Sequence, residues 1–260
     1  MKAKRILIAI ATFLIAVSLT ACIGDKVNTK IVAMGIKDQS MQRIAITNSR
    51  YAGRYTIIDK KAIENFTRII LNAADANKNS YLEPDFIFEF YNNENNIVNL
   101  KYIAGINDDT IANLIAPDGK MYHVNTSIEN EFMKRLVKGN NSKNIQEYYI
   151  SLIELLIGKI SIKSNEVVVV DISKDYVVTR SITSIEQKNI IDSVQSKANI
   201  KFPSEAKAYN YSIEINTGKY SDETTDAEIT ITNRKNKTNE VYIVAGIYEN
   251  GEWNYHIKYK

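Results

Sequence analysis

The stretch Phe86-Ile87-Phe88-Glu89-Phe90-Tyr91 decides the fold of the first half of this chain. Successive side chains of a strand point to opposite faces, so the phenylalanines share one face. Residues 98–103 follow after the asparagine-rich turn at 92–96 and complete a predicted β-hairpin. The aromatic face could serve as a recognition strip, but a phenylalanine at every second position is more typical of a buried strand. We therefore expect these side chains to lie in the core.

The residues before this hairpin predict short strands followed by a helix. Segments 31–36, 43–47 and 55–58 are short and apolar enough to be strands. Asp59 is then placed as an N-cap, and apolar residues recur at helical spacing over 60–73. We therefore expect an amphipathic helix between the strands.

The residues after the hairpin predict a second hairpin and a second helix. Segments 111–115 and 121–124 flank Pro117-Asp118-Gly119, in which proline presets φ and glycine accepts a positive φ. His123 falls in the second of these strands, on the face expected to meet water. Thr126 or Ser127 is then expected to cap a helix that Gly139 ends.

The segment from about 44 to 137 resembles the YhfM-like domain found in small lipoproteins of Gram-positive bacteria. The Asp-capped helix, Glu83-Pro84-Asp85 opening the aromatic strand, and the closing strand and helix carry the resemblance. That family has no established biochemical activity and no assigned catalytic residues. The resemblance therefore implies a surface lipoprotein of unknown role.

The second half begins with a predicted connecting helix at 142–157, which Gly158 is expected to stop. Strands are expected at 160–162, 167–172 and 176–179, and the valine run 167–170 indicates a strand buried on both faces. Ser184 and Gln187 form a capping-box pattern that opens a helix to about residue 196.

Four further strands are expected at 208–215, 227–232, 240–248 and 252–259, as an antiparallel meander. In the last strand, Trp253 lies on the buried face and His256 on the wet face. The patterns Ala227-Glu228-Ile229-Thr230-Ile231, Val241-Tyr242-Ile243-Val244-Ala245-Gly246 and Gly251-Glu252-Trp253 resemble bacterial relatives of cytochrome oxidase assembly factor one. They are also similar to the meander of small cystatin-like lipoprotein domains.

The N-terminus has the pattern of a secretion signal. Lys2, Lys4 and Arg5 form a positive head before the apolar run 6–19, which is too short for a comfortable membrane span. Leu19-Thr20-Ala21-Cys22 resembles the lipobox of bacterial lipoproteins, which implies cleavage before Cys22 and lipidation of its thiol. An ordinary secretion signal that leaves a free thiol, or an uncleaved membrane anchor, are the alternatives.

These patterns predict an extracytoplasmic protein on the outer face of the cell membrane, attached through two acyl chains on Cys22. Cys22 is the single cysteine of the chain, so no disulfide within it is expected. Removal of the leader takes the formal net charge of +3 to zero, because the leader carries three basic residues and no acidic ones. A neutral surface gives no electrostatic reason to expect nucleic acid as a partner.

The chain is therefore expected to be α+β, with two lobes of antiparallel sheet packed with helices. We divide it into a signal peptide at 1–21, a tether at 22–30, an α+β domain at 31–140, a connecting helix at 141–159 and a C-terminal α+β domain at 160–260.

No catalytic residue, metal site or cofactor is predicted. His123 and His256 are the two histidines, and neither has a serine or cysteine partner pattern or a zinc-binding spacing. Asp75, Asn77 and Asn79 match the first, third and fifth positions of a calcium loop, but Phe86 stands where the bidentate acid belongs. A polar loop after a helix explains the same residues.

We expect a role in binding or in assembly of envelope components, with a partner protein in the envelope, and not catalysis. One alternative is the substrate-binding lipoprotein of an importer, which would need repeated βαβ units around a cleft. Another is an envelope hydrolase using carboxylates, for which Glu83 with Asp85, or Asp108 with Asp109, are the candidates.

Overall fold

The structure, a computed structural model, describes residues 34, 36, 41–50, 52–92, 96–137, 142–160, 162–163, 165–196, 198–203 and 205–260. Cys22, the predicted leader and tether, and Gly139 lie outside these residues. Of the predicted strand at 31–36, Met34 and Ile36 are described; both are buried, and Met34 is helical.

The elements form two lobes, one on each side of residue 140. The first lobe contains, in chain order, β1 (Arg43–Asn48), β2 (Arg54–Ile57), α1 (Lys60–Leu71), β3 (Ala74–Asp75), β4 (Phe86–Tyr91), β5 (Asn96–Tyr102), β6 (Leu114–Ile115), β7 (Met121–His123), a π-helical turn (Glu129–Met133) and α2 (Lys134–Val137). The second lobe contains α3 (Ser142–Ile160), β8 (Val167–Asp171), α4 (Tyr176–Thr179), α5 (Ser184–Val194), β9 (Asn199–Lys201), β10 (Tyr211–Tyr220), β11 (Thr224–Asn233), β12 (Thr238–Glu249) and β13 (Glu252–Tyr259).

The first lobe is an antiparallel sheet with strand order β2-β1-β4-β5-β6-β7-β3, covered by α1. The phenylalanines of β4 are buried, which confirms that they belong to the core. Phe66 of α1 meets Phe88 edge to face, with ring centroids 5.1 Å apart. Asp59 caps α1 as predicted, because its carboxylate accepts the backbone N–H of Ala62 over 2.9 Å.

Two expectations for the end of this lobe are wrong. Neither Thr126 nor Ser127 caps a helix; Asn125 accepts the backbone N–H of Ser127, and a π-helical turn precedes α2. His123 is 8% exposed rather than on a wet face. Its Nδ1 lies 2.8 Å from the carbonyl oxygen of Ile111, since the short strands β6 and β7 fold that neighbouring segment over the ring.

The second lobe is a mixed sheet with strand order β13-β12-β11-β10-β8-β9. Strands β10 to β13 form the predicted antiparallel meander. Strand β8, the valine run, pairs in parallel with both β10 and β9. Helix α5 lies in the connection from β8 to β9, so this edge of the sheet is a βαβ unit. The α+β class holds, with a parallel component in the second sheet.

Several boundaries in this lobe differ from expectation. Helix α3 continues through Gly158 to Ile160, so the predicted stop and the strand at 160–162 are wrong. The buried faces of Leu156 and Ile157 continue the apolar stripe past the point where Gly158 was expected to end it. The predicted strand at 176–179 is helix α4. The capping box lies one residue earlier than expected, between Thr183 and Glu186.

The apolar face of α3 lies in the second core and brings a buried polar cluster with it. The Tyr149 hydroxyl and the Thr217 hydroxyl donate to Asp175 Oδ2 over 2.8 Å and 2.5 Å. Asp175 Oδ1 has no hydrogen-bond partner among the described residues. Burial raises the pKa of the Asp175 carboxyl, and the two hydroxyl groups offset part of that rise.

We expect Asp175 to make stability depend on pH. Because its pKa is raised in the folded state, its contribution to the free energy of unfolding is fully present below about pH 4 and is lost as pH rises through the folded-state value. The loss is about 1.4 kcal/mol for each unit by which the pKa is raised. Chemical denaturation of Asp175→Asn across pH 4 to 8 should show a flatter profile than the parent. Asp109→Asn, at an exposed position, is the control, and equal slopes for the parent and Asp175→Asn would contradict the expectation.

Candidate functional site

An ion pair within the first lobe, between Arg50 and the buried Asp85, also contacts the second lobe. Arg50, in the turn between β1 and β2, donates from Nη2 to Asp85 Oδ1 over 2.5 Å, and Asp85 is 1% exposed. The same guanidinium donates to the carbonyl oxygen of Ile182 over 2.8 Å and to the hydroxyl of Ser184, both in the second lobe. One side chain of the first lobe therefore binds the segment that opens α5. We call this set of contacts the lobe junction.

Asp85 completes the lobe junction with backbone contacts to both lobes. Its Oδ1 accepts the N–H of Ser184 over 2.8 Å, and its Oδ2 accepts the N–H of Ala104 over 2.9 Å. The Ser184 hydroxyl in turn donates to the carbonyl oxygen of Glu83 over 2.7 Å. Burial raises the pKa of the Asp85 carboxyl, while Arg50 and the two N–H groups lower it. The carboxylate oxygens are thus occupied by structural partners.

Gly105 allows the lobes to approach closely beside this junction. Its φ is +82°, and its N–H donates to Glu129 Oε1 over 2.8 Å. A Cβ at this position would lie 2.6 Å from Cγ2 of Ile185 in α5. Glycine is therefore required here both for the left-handed backbone and for the contact between the lobes.

A cleft of about 190 Å³ opens next to the lobe junction, with one wall from each lobe. The first lobe contributes residues 80–83, which lead into β4. The second lobe contributes Ser173 after β8, the segment from Phe202 after β9, and the first turn of α5. Ligand sites in sheets with parallel strands commonly lie outside the carboxyl ends of those strands, and this cleft occupies that position for β8 and β9. We call it the interlobe cleft.

Gln187 is, with Ser184, one of the two buried polar residues that line the interlobe cleft. It lies in the first turn of α5 and is 6% exposed. Its Nε2 makes no hydrogen bond with any described residue. This nitrogen is itself buried, so a guest in the cleft reaches it only if the Gln187 side chain moves.

Tyr81 stands at the mouth of the interlobe cleft. Its side chain is 85% exposed, and its φ is +57°, a left-handed backbone that costs a non-glycine residue about 1–2 kcal/mol. Glu83 and Glu205 are exposed lining residues, and Lys188 pairs with both oxygens of Asp192 over 2.7 and 2.5 Å. The cleft therefore offers an aromatic ring, two unburied carboxyl groups and one neutralised cation.

The structure places the three calcium candidates on an exposed segment that begins in β3. Asp75, Asn77 and Asn79 are exposed, and the N–H groups of Asn77 and Lys78 both donate to the carbonyl oxygen of Thr110. Two successive N–H groups thus converge on one acceptor, and the backbone bends at Asn77. Across the described residues, no group of three or more His, Cys, Asp and Glu side chains could hold a metal ion. Calcium at these residues stays the less favoured of the two interpretations, and lipidation of Cys22 stays a prediction.

The remaining sequence candidates are dispersed. Asp108 and Asp109 are exposed, and the Thr110 hydroxyl and N–H lower the pKa of Asp108. Glu83 is exposed at the cleft, whereas Asp85 is buried in the lobe junction. His256 is exposed on β13, as predicted. None of the described helices is both long and apolar enough to cross a membrane.

Sequence reasoning missed the interlobe cleft although one signal for it was present. A valine run buried on both faces is typical of parallel strands, and parallel pairing requires a crossover such as the one that contains α5. The carboxyl end of that strand would then have been the first place to look for a site. The sequence pattern instead predicts Gln187 as part of the capping box of α5, a role that Glu186 performs.

Residues 37–143 match the model of the YhfM protein family, which covers the first lobe as described. The N-terminal domain is therefore YhfM-like. No curated protein and no solved structure gives a significant match to the chain.

Proposed function

We propose that this chain is a lipoprotein, held on the outer face of the cell membrane through Cys22, that binds or assembles envelope components through the interlobe cleft without catalysis. The cleft carries this proposal, because both lobes build it and the ring of Tyr81, one of its lining residues, is 85% exposed. The leader pattern before Cys22 and the YhfM-like domain support the location.

The chemistry of the described acids supports binding rather than hydrolysis. A general acid or base needs a carboxyl group that can exchange a proton with a substrate. Asp85 is the buried acid nearest the cleft, and its oxygens are bound by Arg50 and by two backbone N–H groups. The similarity of the meander to assembly-factor relatives supports an assembly role for the second lobe.

The importer-receptor alternative is less favoured by the same geometry. Importer receptors close around a ligand by rotating two lobes about a hinge. Here the lobe junction and the close contact of Gly105 with Ile185 hold the lobes together beside the cleft. A preformed cleft between fixed lobes fits a docking function better than a closing trap.

The proposal is tested by crosslinking and capture from membranes that carry the full chain. We expect Cys22→Ala to leave the membrane fraction. We expect Tyr81→Ala to remain there but to capture its envelope partner about tenfold less well, because an exposed aromatic at a binding site is a typical hot spot. Tyr55→Ala is the matched control, since Tyr55 is an exposed tyrosine on β2 that does not line the cleft. Equal capture by Tyr81→Ala and Tyr55→Ala would refute a role for the cleft.

A further inference from the structure

We infer that strand β13 binds a second copy of this chain, through antiparallel pairing of the two β13 strands about a two-fold axis. This inference goes beyond the proposed function, because it concerns the edge of the second sheet and not the interlobe cleft. The pairing joins the second sheets of two copies into one continuous sheet.

Strand β13 is the long open edge of the second sheet. It has 8 residues, whereas the other edge strands of the two sheets, β2, β3 and β9, have 4, 2 and 3. Its register with β12 is continuous from Glu252 to Tyr259, and no other described strand pairs with it. The residues of β13 other than Trp253 are partly or fully exposed. A long and regular edge of this kind is a ready template for another strand.

Every second residue of β13 turns its backbone groups away from the sheet. The Lys260 N–H donates to the Val241 carbonyl oxygen over 2.9 Å, so the even-numbered residues at this edge face β12. The N–H and C=O groups of the odd-numbered residues therefore point outward. These residues are Trp253, Tyr255, Ile257 and Tyr259. Their backbone groups are the donors and acceptors that a second strand would bind.

One register pairs all of these outward groups at once. With the two-fold axis at His256, Trp253 lies opposite Tyr259 of the second copy, and Tyr255 lies opposite Ile257. Each opposed pair exchanges two hydrogen bonds, so the paired strands share about eight. A shift of two residues in either direction leaves one outward residue of each copy without a partner.

The charges on the wet face of β13 fit the same register. Glu252 lies opposite Lys260 of the second copy at both ends of the pairing. Lys258 lies opposite the uncharged Asn254. Opposite charges that face each other across strands are favourable, and like charges are unfavourable. Lys260 also pairs with Glu228 of its own chain over 2.7 Å, which holds its ammonium group on this face. The lysines of β13 therefore do not oppose this pairing.

The pairing closes at two copies. The opposite edge of the sheet is β9, whose 3 residues are too few for a comparable second contact, so an open chain of copies is not favoured. The pairing also covers an exposed aromatic side chain. Tyr259 is 62% exposed, and Trp253 of the second copy lies directly opposite it. Aromatic pairs across neighbouring strands are favourable.

Disulfide crosslinking tests the register. His256 is exposed and lies on the two-fold axis, so the two thiols of His256→Cys face each other at a Cα separation that a disulfide spans. Asn254→Cys is the matched control, because its two copies lie about 14 Å apart in this register. Both variants are made in the full chain carrying Cys22→Ala, which removes the single native thiol. We expect His256→Cys to form linked dimers about tenfold faster than Asn254→Cys. Equal rates, or faster linking of Asn254→Cys, would overturn the inference.

Sedimentation equilibrium of the Cys22→Ala chain measures the dimer directly. We expect Glu252→Lys to weaken dimerisation about tenfold, because it places two pairs of lysines opposite each other. Lys260→Glu should weaken it similarly by placing two pairs of glutamates opposite each other. The double variant that carries both changes should recover the parent affinity. A Cys22→Ala chain that stays monomeric at about 100 µM, or a double variant as weak as the single ones, would overturn the inference.

Discussion

Arg50→Ala is expected to lower the free energy of unfolding by about 3–5 kcal/mol, because it leaves the buried Asp85 carboxylate without its counter-ion. Asp85 is 1% exposed, so its carboxylate depends on protein partners to offset the cost of burial. The substitution also removes the hydrogen bonds to the Ile182 carbonyl oxygen and the Ser184 hydroxyl, which connect the lobes. Denaturant titration measures the loss directly.

Arg54→Ala is the matched control for this prediction. Arg54 also pairs with a carboxylate, Glu89, over 2.7 Å, but its side chain is 48% exposed. Exposed pairs contribute about 0–1 kcal/mol, so this variant should unfold close to the parent. Similar losses of unfolding free energy for Arg50→Ala and Arg54→Ala would show that the lobe junction contributes no more to stability than an exposed ion pair.

The cost of Arg50→Ala should also increase with pH. Burial raises the pKa of Asp85 in the folded protein, so its contribution to stability is present below about pH 4 and is lost as pH rises through the folded-state value. Removal of Arg50 takes away an interaction that lowers this pKa, so more stability is lost at neutral pH. The difference between parent and variant should be smaller at pH 4 than at pH 7.

Gly105→Ala is expected to lower the free energy of unfolding by about 2–5 kcal/mol, the sum of the costs of a left-handed alanine and of an overpacked contact. The new Cβ would lie 2.6 Å from Ile185 Cγ2, so α5 or the Gly105 turn must move. Helix α5 forms part of the cleft wall, so we expect this variant to bind the envelope partner less tightly as well as to be less stable. Thermal and denaturant unfolding give the energetic loss.

Gly119→Ala separates the two causes. Gly119 has nearly the same φ, +83°, but nothing lies within 4 Å of the position that an alanine methyl group would take there. Backbone strain alone should therefore cost about 1–2 kcal/mol at this turn. The difference in destabilisation between Gly105→Ala and Gly119→Ala measures the steric cost at the contact between the lobes. Equal destabilisation would show that the lobes accommodate the extra methyl group at no cost.

Much of the fold could be predicted because its elements depend on local pattern. The aromatic alternation in β4, the Asp59 cap of α1 and the meander β10 to β13 each depend on residues close together in sequence. Hydrophobic period and turn chemistry act at that range. The predicted element boundaries were wrong where core packing outweighed a local stop signal. At Gly158, for example, the helix continues because the apolar face of α3 extends into the second core.

The candidate site could not be predicted in the same way. In the sequence Asp85 is one of several loop acids, and its burial follows from Arg50, 35 residues away, and Ser184, 99 residues away. Gln187 is a plain helical glutamine until the cleft walls form around it. Contacts at such separations depend on how the lobes pack, and no local period records that arrangement.

The sequence by itself determined the secretion-type pattern before Cys22, the α+β class and most strands and helices, because short-range periodicity, capping and turn preferences carry that information. Tertiary structure alone decided the parallel pairing of β8, the lobe junction around Asp85 and the interlobe cleft beside it. The physical reason is that burial and hydrogen-bond satisfaction are properties of residues brought together from distant parts of the chain.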